Sequence, residues 1–122
     1  MRNTNHIRFF TASTANTIEF CRVDLAKGYL SADLDMKLSL DSIAREIGLS
    51  RFHFIRMFKK HTGLSPHQFR IQHRIDAAKI LIQKGVPFSE IALETGFSDQ
   101  SHFTNTFRQS TGLTPSQYAH RF

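Results

Sequence analysis

Residues 38–66 read LSLDSIAREIGLSRFHFIRMFKKHTGLSP, and this stretch predicts two short helices around a tight turn. In the first helix, Ser39 is the candidate N-cap, and apolar residues spaced three and four apart favour one buried face. Gly48 follows the last of them and can take the left-handed conformation that ends a helix. Ser50 can then cap a second helix that begins at Arg51.

The second helix carries two chemically different faces. Its expected buried arc comprises Phe54, Met57, Phe58 and His61. The opposite arc is basic and displays a large aromatic side chain; it comprises Phe52, Arg56 and Lys59, flanked by Arg51, Ile55 and Lys60. Such a pair of helices is what a helix-turn-helix needs to lay a recognition helix in the major groove of DNA. From this motif alone, both DNA binding and a merely solvated basic face remain open interpretations.

The motif occurs twice, which favours DNA binding. Shifted by 48 residues, the segment 40–50 lies over 88–98, and beyond the turn an offset of 49 aligns 54–68 with 103–117. The copies share the turn glycine, two phenylalanines of the second helix and a Thr-Gly-Leu sequence at its end. The single inserted residue is expected at the start of the second recognition helix. Two copies are too few for a solenoid and indicate a duplicated reading unit.

The whole pattern predicts an all-α chain with two helix-turn-helix subdomains, residues 17–64 and 85–122, joined by a linker helix at 65–84. Residues 1–16 are expected to form a tail or arm. From about Asn16 a helix is expected with an apolar stripe of Ile18, Cys21, Leu25, Tyr29 and Leu30. The linker would span roughly 30 Å, close to the turn of B-DNA at about 34 Å. It could therefore hold two recognition helices in successive major-groove turns.

Charge is unevenly distributed along the 122 residues. The formal net charge is +6 and the isoelectric point is near 10.0, which indicates a polyanionic partner. Residues 39–84 hold nine Lys and Arg against three Asp and Glu, whereas residues 85–122 hold two against three. The first copy should therefore supply most of the salt-sensitive affinity for nucleic acid.

Other classes of function find little support in the sequence. The one cysteine, Cys21, excludes an intramolecular disulfide and fits a reducing cytoplasm. No apolar run approaches the length of a membrane span, so a soluble cytoplasmic protein is expected. The seven histidines lack zinc-ligand spacing, and no catalytic Ser/His/Asp set or phosphate-binding glycine loop is present. No enzymatic activity, metal or cofactor is expected.

Residues of about 17–122 resemble the DNA-binding domain of the AraC/XylS family of bacterial transcription regulators. The resemblance rests on IAREIGLSRFHFIRMFKKHTGLSP in the first copy and EIALETGFSDQSHFTNTFRQSTGLTPSQY in the second. It implies a seven-helix fold that binds double-stranded DNA, usually as a transcription activator, with RNA polymerase as a partner. The chain is expected to be either a small stand-alone, monomeric member or the C-terminal part of a longer regulator.

The resemblance also assigns contacts to the two recognition helices. Base contacts fall on Arg51, Phe52, Ile55 and Arg56 in the first helix, and on Gln100, Ser101, His102 and Asn105 in the second. Phosphate contacts fall on Ser50, Lys59, Lys60, Ser98, Thr104 and Arg108. Arg56 is expected to read guanine, because a guanidinium can bond O6 and N7 together. Asn105 and Asp99 depart from the cationic pattern of the family and predict a weaker second reader.

The alternative function belongs to a different class. In a protein-interaction adaptor, the same basic face would dock an acidic partner rather than DNA.

Overall fold

The computed structural model describes residues 4–121, with side chains from residue 17 onward. Helices account for all the regular structure in this part of the chain, which contains no strand. They are α1 (Thr4–Ser31), α2 (Leu40–Glu46), α3 (Arg51–Thr62), α4 (Pro66–Gln83), α5 (Phe88–Glu94), α6 (Gln100–Thr111) and α7 (Pro115–Ala119). The prediction of an all-α chain of about seven helices with two helix-turn-helix motifs is confirmed.

The chain divides into two compact units. The first comprises the residues up to Tyr29 together with Ser39–Pro66, and therefore contains the α2–α3 motif and most of α1. The second comprises Leu30–Leu38 and His67–Phe122, and contains the α5–α6 motif. Apart from its first residue, the helix expected as a linker, α4, lies in this second unit.

The two motifs repeat one another in local structure. α2 and α5 both have 7 residues, and α3 and α6 both have 12. Each recognition helix ends at a glycine in the left-handed conformation, Gly63 and Gly112, with φ of 80° in both. The preceding threonines repeat the same hydroxyl bond to the fourth residue back, at 2.8 Å. The duplication seen in the sequence is therefore a duplication of structure.

The buried face of α3 is as predicted for its apolar residues, whereas His61, expected on the same arc, is not buried and bonds Glu19 instead. Phe54 and Phe58 are fully buried and Met57 is nearly so. The equivalent positions of α6, Phe103 and Phe107, are also fully buried and meet edge to face, with ring centroids 5.7 Å apart. Burying such rings contributes about 1.5–3 kcal/mol each, so these pairs anchor each recognition helix to its unit.

The helix α1 differs from expectation in its start and in its buried face. It begins at Thr4, well before Asn16, so most of the expected tail or arm is helical; residues 1–3 lie outside the described part. From residue 17 onward, the side chains that it buries are Val23, Ala26 and Leu30; only Leu30 belongs to the expected stripe, and Leu25 is 57% exposed. Exposed or half-exposed positions also include Ile18, Cys21 and Tyr29. Two apolar arcs that share Leu30 run along this helix, and the arc that also contains Val23 and Ala26 is the buried one.

The second copy differs from the first, and from expectation, around its turn. α5 begins at Phe88 after Pro87 and has no side-chain cap, whereas Ser39 caps α2. The inserted residue does not lengthen the second recognition helix. Asp99 takes the N-cap position that Ser50 takes in the first copy, so the extra residue lies in the turn. Proline already fixes φ before α5, and the equal lengths of α3 and α6 preserve their packed faces.

Candidate nucleic-acid interface

The outer face of α3 is exposed, aromatic and strongly basic. Phe52 is 73% exposed. The guanidinium carbon of Arg56, one helical turn further on, lies 5.9 Å from the centroid of the Phe52 ring, within the range of a cation–π contact. Arg51, Lys59 and Lys60 are also exposed, whereas Ile55 is half-buried. This face presents a planar cation on an aromatic ring beside three further positive charges.

Two carboxylates neutralise part of this charge. Asp41 of α2 lies 3.8 Å from a terminal nitrogen of Arg51, and both side chains are more than half exposed. Glu19 of α1 lies 3.9 Å from Nζ of Lys60. Within residues 17–121, the structure records no such carboxylate beside Arg56 or Lys59. These two cations are therefore the side chains of α3 most available to a phosphate or a base.

A cavity of about 700 Å³ runs along α3 in the first unit. Glu19 contributes the one carboxylate of its lining and bonds Nε2 of His61 at 2.9 Å. This hydrogen bond, followed by the charge of Lys60, lowers the pKa of Glu19. Four predicted contact residues also line this cavity: Ile55, Arg56, Lys59 and Lys60. The other two lining residues, His53 and Met57, were not predicted as contacts.

The outer face of α6 is polar and nearly uncharged. Gln100, Ser101, Thr104 and Asn105 line a shallow cavity of about 390 Å³, so four predicted residues are brought together there. Arg108 is the one lysine or arginine of this helix, and it lies in the last turn. The outer face of α6 therefore differs from that of α3: it offers hydrogen-bonding side chains but little positive charge to attract an anionic partner.

His102 is held at the N-terminal end of α6 by contacts with three residues. Its backbone N–H donates to Oδ1 of the N-cap Asp99 at 2.7 Å. Its ring Nδ1 accepts from the backbone N–H of Ser98 at 3.3 Å and lies 3.2 Å from the Ser98 hydroxyl. The ring also meets Phe97 edge to face, with centroids 5.3 Å apart. Ser98, predicted as a phosphate contact, is thus engaged with a predicted base contact.

Two arginines of α4 hold the segment 30–38 in the second unit. Arg70 is 5% exposed, and its terminal nitrogens donate to four backbone carbonyls, those of Leu30, Ala32, Asp33 and Met36, at 2.6–3.1 Å. Nε of Arg74 donates to the carbonyl of Leu34 at 3.1 Å. Burial lowers the pKa of both guanidinium groups. Four carbonyl dipoles offset the cost of burying the Arg70 charge.

The site residues predicted from the sequence remain predictions, but the structure places them on two coherent faces. Those of α3 are exposed except for half-buried Ile55, and those of α6 are exposed except for half-buried Thr104. The sequence reasoning missed Glu19, Arg70 and Arg74. The sequence did contain a signal for Arg70 and Arg74, since both lie beside the apolar arc of α4. An arginine in such a position must find buried hydrogen-bond acceptors.

Comparisons with known proteins agree with this architecture. A family model described as a helix-turn-helix domain matches residues 43–121. The probable transcriptional regulator LumQ of Photobacterium leiognathi is 33% identical over 102 residues, which are 83% of this chain and 41% of LumQ. The transcriptional activator RhaR of Escherichia coli is 31% identical over 117 residues, 95% of this chain and 42% of RhaR. The chain thus spans about two fifths of the length of these relatives.

Solved structures give the same result. A transcriptional regulator of Chromobacterium violaceum, described as containing an AraC-type DNA-binding domain, superposes with a TM-score of 0.76 at 30% identity. The match covers 82% of this chain and 90% of that one. Among the described residues, no helix is both long and apolar enough to cross a membrane. From the family model, the relatives and the shared fold together, the chain belongs to the AraC-type helix-turn-helix family of bacterial transcription regulators.

Proposed function

We propose that this chain binds specific double-stranded DNA sequences by inserting α3 and α6 into adjacent segments of the major groove, and that it activates transcription. The observation that carries the proposal is the exposed basic face of α3, where Arg56 lies over the exposed ring of Phe52. A monomer with two reading helices needs no partner copy for this mode of binding. The duplicated caps and turns support the use of both helices in the same way.

The first recognition helix reads bases through Arg51, Phe52, Ile55 and Arg56. A guanidinium can donate two hydrogen bonds to O6 and N7 of one guanine. Among the described residues, no carboxylate forms an ion pair with Arg56. Stacking on Phe52 limits the rotamers of Arg56, which reduces the entropy lost on binding. Ile55 and the Phe52 ring offer apolar contact to a thymine methyl group.

The second recognition helix reads through Gln100, Ser101, His102 and Asn105. Glutamine and asparagine amides can each donate to N7 and accept from N6–H of an adenine. Because α6 carries little positive charge, its contribution is specificity with modest affinity. Phosphates are held by Ser50, Lys59, Lys60, Ser98, Thr104 and Arg108, which fixes the register of both helices without reading sequence.

Activation and the second partner follow from the family. RhaR is named as a transcriptional activator, and we extend that role to this chain. RNA polymerase is the proposed protein partner, and its docking surface would have to lie outside the faces of α3 and α6 that face DNA.

The testing experiment is selection of bound duplexes from a random DNA pool at physiological salt, followed by sequencing. The proposal predicts two short motifs about one helical turn apart, the one read by α3 being the stronger. Recovery of one motif would restrict reading to one helix. Recovery of none would refute DNA reading and favour the adaptor function, in which the basic face docks an acidic protein.

Arg56→Ala separates base reading from simple charge. The variant should lose about 1–3 kcal/mol of binding to the selected duplex and relax the preference at one base pair. Arg45→Ala is the matched control, since it removes an exposed positive charge from α2. Equal losses in the two variants, with base preference unchanged, would contradict the assignment of Arg56 as a base reader.

A further inference from the structure

A chain of contacts joins the segment 30–38 to the N-terminal end of α6 within the second unit. The carbonyl of Leu34 accepts from Nε of Arg74, and the guanidinium carbon of Arg74 lies 5.9 Å from the centroid of the Phe97 ring. Phe97 is 4% exposed and its centroid lies 5.3 Å from that of His102, with an interplanar angle of 82°. A ring so enclosed has little room to shift in a close-packed interior.

The same surroundings determine where the ring proton of His102 lies. The Ser98 backbone N–H, which can only donate, points to Nδ1 of His102. Nδ1 must therefore be the unprotonated acceptor, and the proton of the neutral imidazole is on Nε2. His102 is exposed, and within residues 17–121 the structure records no acceptor for Nε2. Its Nε2–H is available to an external acceptor.

We propose that Arg74 is a positioning residue for sequence reading by α6: through Phe97 it holds the His102 ring so that Nε2–H donates to an acceptor on a base edge. The inference rests on the proposed function and adds which base atoms the His102 contact would prefer. The matching acceptors in the major groove are N7 and O6 of guanine, N7 of adenine and O4 of thymine. Cytosine presents only its N4 amino donor there and is disfavoured.

Arginine suits this position for a geometric reason. Its planar guanidinium can donate through Nε to a carbonyl in its plane while its carbon lies near an aromatic ring. A lysine ammonium is a point charge on a flexible stem and does not fix both contacts at once. Arg74 touches no DNA in this arrangement, so its effect on binding passes through Phe97 and His102.

The test is duplex selection and sequencing with the full chain in three forms: wild type, His102→Ala and Arg74→Met. Both variants should flatten the preference at the same base position, with discrimination against cytosine falling about tenfold. Preference at the bases read by α3 should not change. Adding Arg74→Met to His102→Ala should produce no further loss at that position, because both changes remove one contact.

Lys79→Met is the matched control, since it removes one positive charge from the same helix. It should leave every base preference unchanged. The salt dependence of binding provides a second readout: Arg74→Met should keep the wild-type slope, because Arg74 neutralises no phosphate in this proposal. A slope reduced by about 0.9 with base preference intact would make Arg74 a phosphate contact and overturn the proposal.

Arg74→Lys tests the proposal if Arg74→Met does not fold. It should melt near the wild-type temperature and lose part of the discrimination at the His102 position. Unchanged preference in a folded Arg74→Lys protein would reduce Arg74 to a structural role and overturn the proposal. Failure of the wild-type chain to select any duplex would refute the proposed function itself, whereas selection without a His102-dependent position would refute only this inference.

Discussion

The carbonyl oxygen of Leu34 occupies the space that a β-carbon on Gly96 would need. The Arg74 guanidinium also lies 2.9 Å from that position. Gly96 has φ of +88°, and Gly112, which ends α6, has a similar φ of +80°. Nothing lies within 4 Å of a β-carbon built on Gly112. The two glycines thus share a backbone conformation and differ in what surrounds them.

Gly96→Ala should therefore destabilise the protein much more than Gly112→Ala. Left-handed strain alone costs about 1–2 kcal/mol in either variant. Displacement of backbone at Leu34 should raise the loss for Gly96→Ala above about 3 kcal/mol. Urea unfolding of both variants measures the difference, and equal free energies of unfolding would contradict the close packing of segment 30–38 on the turn.

Removal of charge from α3 should weaken DNA binding more than removal from α6. Lys59→Ala should lower affinity for all duplexes alike and reduce the salt slope by about one unit. Arg108→Ala should have a smaller effect, because residues 85–122 carry a net negative charge. Titrations of a labelled duplex at several salt concentrations compare the two. Equal losses of affinity would show that the uneven charge does not set the contribution of each helix.

Asp99→Asn should strengthen DNA binding without loss of stability. Asp99 caps α6 through Oδ1, and asparagine caps a helix equally well. Loss of the negative charge beside a reading helix should increase affinity about two- to fivefold at 0.1 M salt, an advantage that disappears at high salt. Asp99→Ala is the control, because it removes the same charge and the cap and should cost about 1 kcal/mol of stability. No gain in affinity for Asp99→Asn would place Asp99 away from the phosphates.

Glu19 should make stability depend on pH in the acid range. Its pKa is lowered by the hydrogen bond to His61. The stabilisation from its carboxylate is therefore fully present above the ordinary pKa of 4.5 and is lost as pH falls through the lower pKa of the folded state. The stability difference between the wild type and Glu19→Gln should be constant from pH 7 to about pH 5 and shrink below it.

Thermal melts from pH 7 to pH 3 measure this difference. Glu46→Gln, an exposed carboxylate of α2, is the matched charge-removing control. A wild-type advantage over Glu19→Gln that persisted undiminished at pH 3 would show that the carboxylate charge does not hold α1 to α3.

Local chemistry explains what the sequence could predict. Ser39 and Ser50 cap α2 and α3, and Gly48 and Gly63 adopt the left-handed conformation, as their positions after or before apolar runs indicate. Such signals act over one helical turn, and the left-handed glycines repeat in the second copy as Gly96 and Gly112. The outer faces of α3 and α6 follow from the same periodicity once the buried arcs are known.

What the sequence could not predict depends on residues far apart in the chain. Leu25 and Val23 lie on two apolar arcs of α1, and only the packed neighbours decide that Val23 is buried. Arg70 is buried because carbonyls almost forty residues earlier converge on it. Glu19 joins the flank of α3 from more than thirty residues away. Periodicity carries no information about such pairings.

Arg70 and Arg74 bind segment 30–38 through its main chain, since every hydrogen bond they donate to it ends on a carbonyl oxygen. Every amino acid supplies that group, so the exposed side chains of the segment can be exchanged without loss of the attachment. Leu30 is fully buried and must remain apolar. Asp33 is constrained by its backbone, because its φ of 43° favours asparagine, aspartate or glycine. The exposed positions of this loop can therefore be replaced by an epitope or a labelling tag of equal length. The two recognition helices should remain intact after such a replacement.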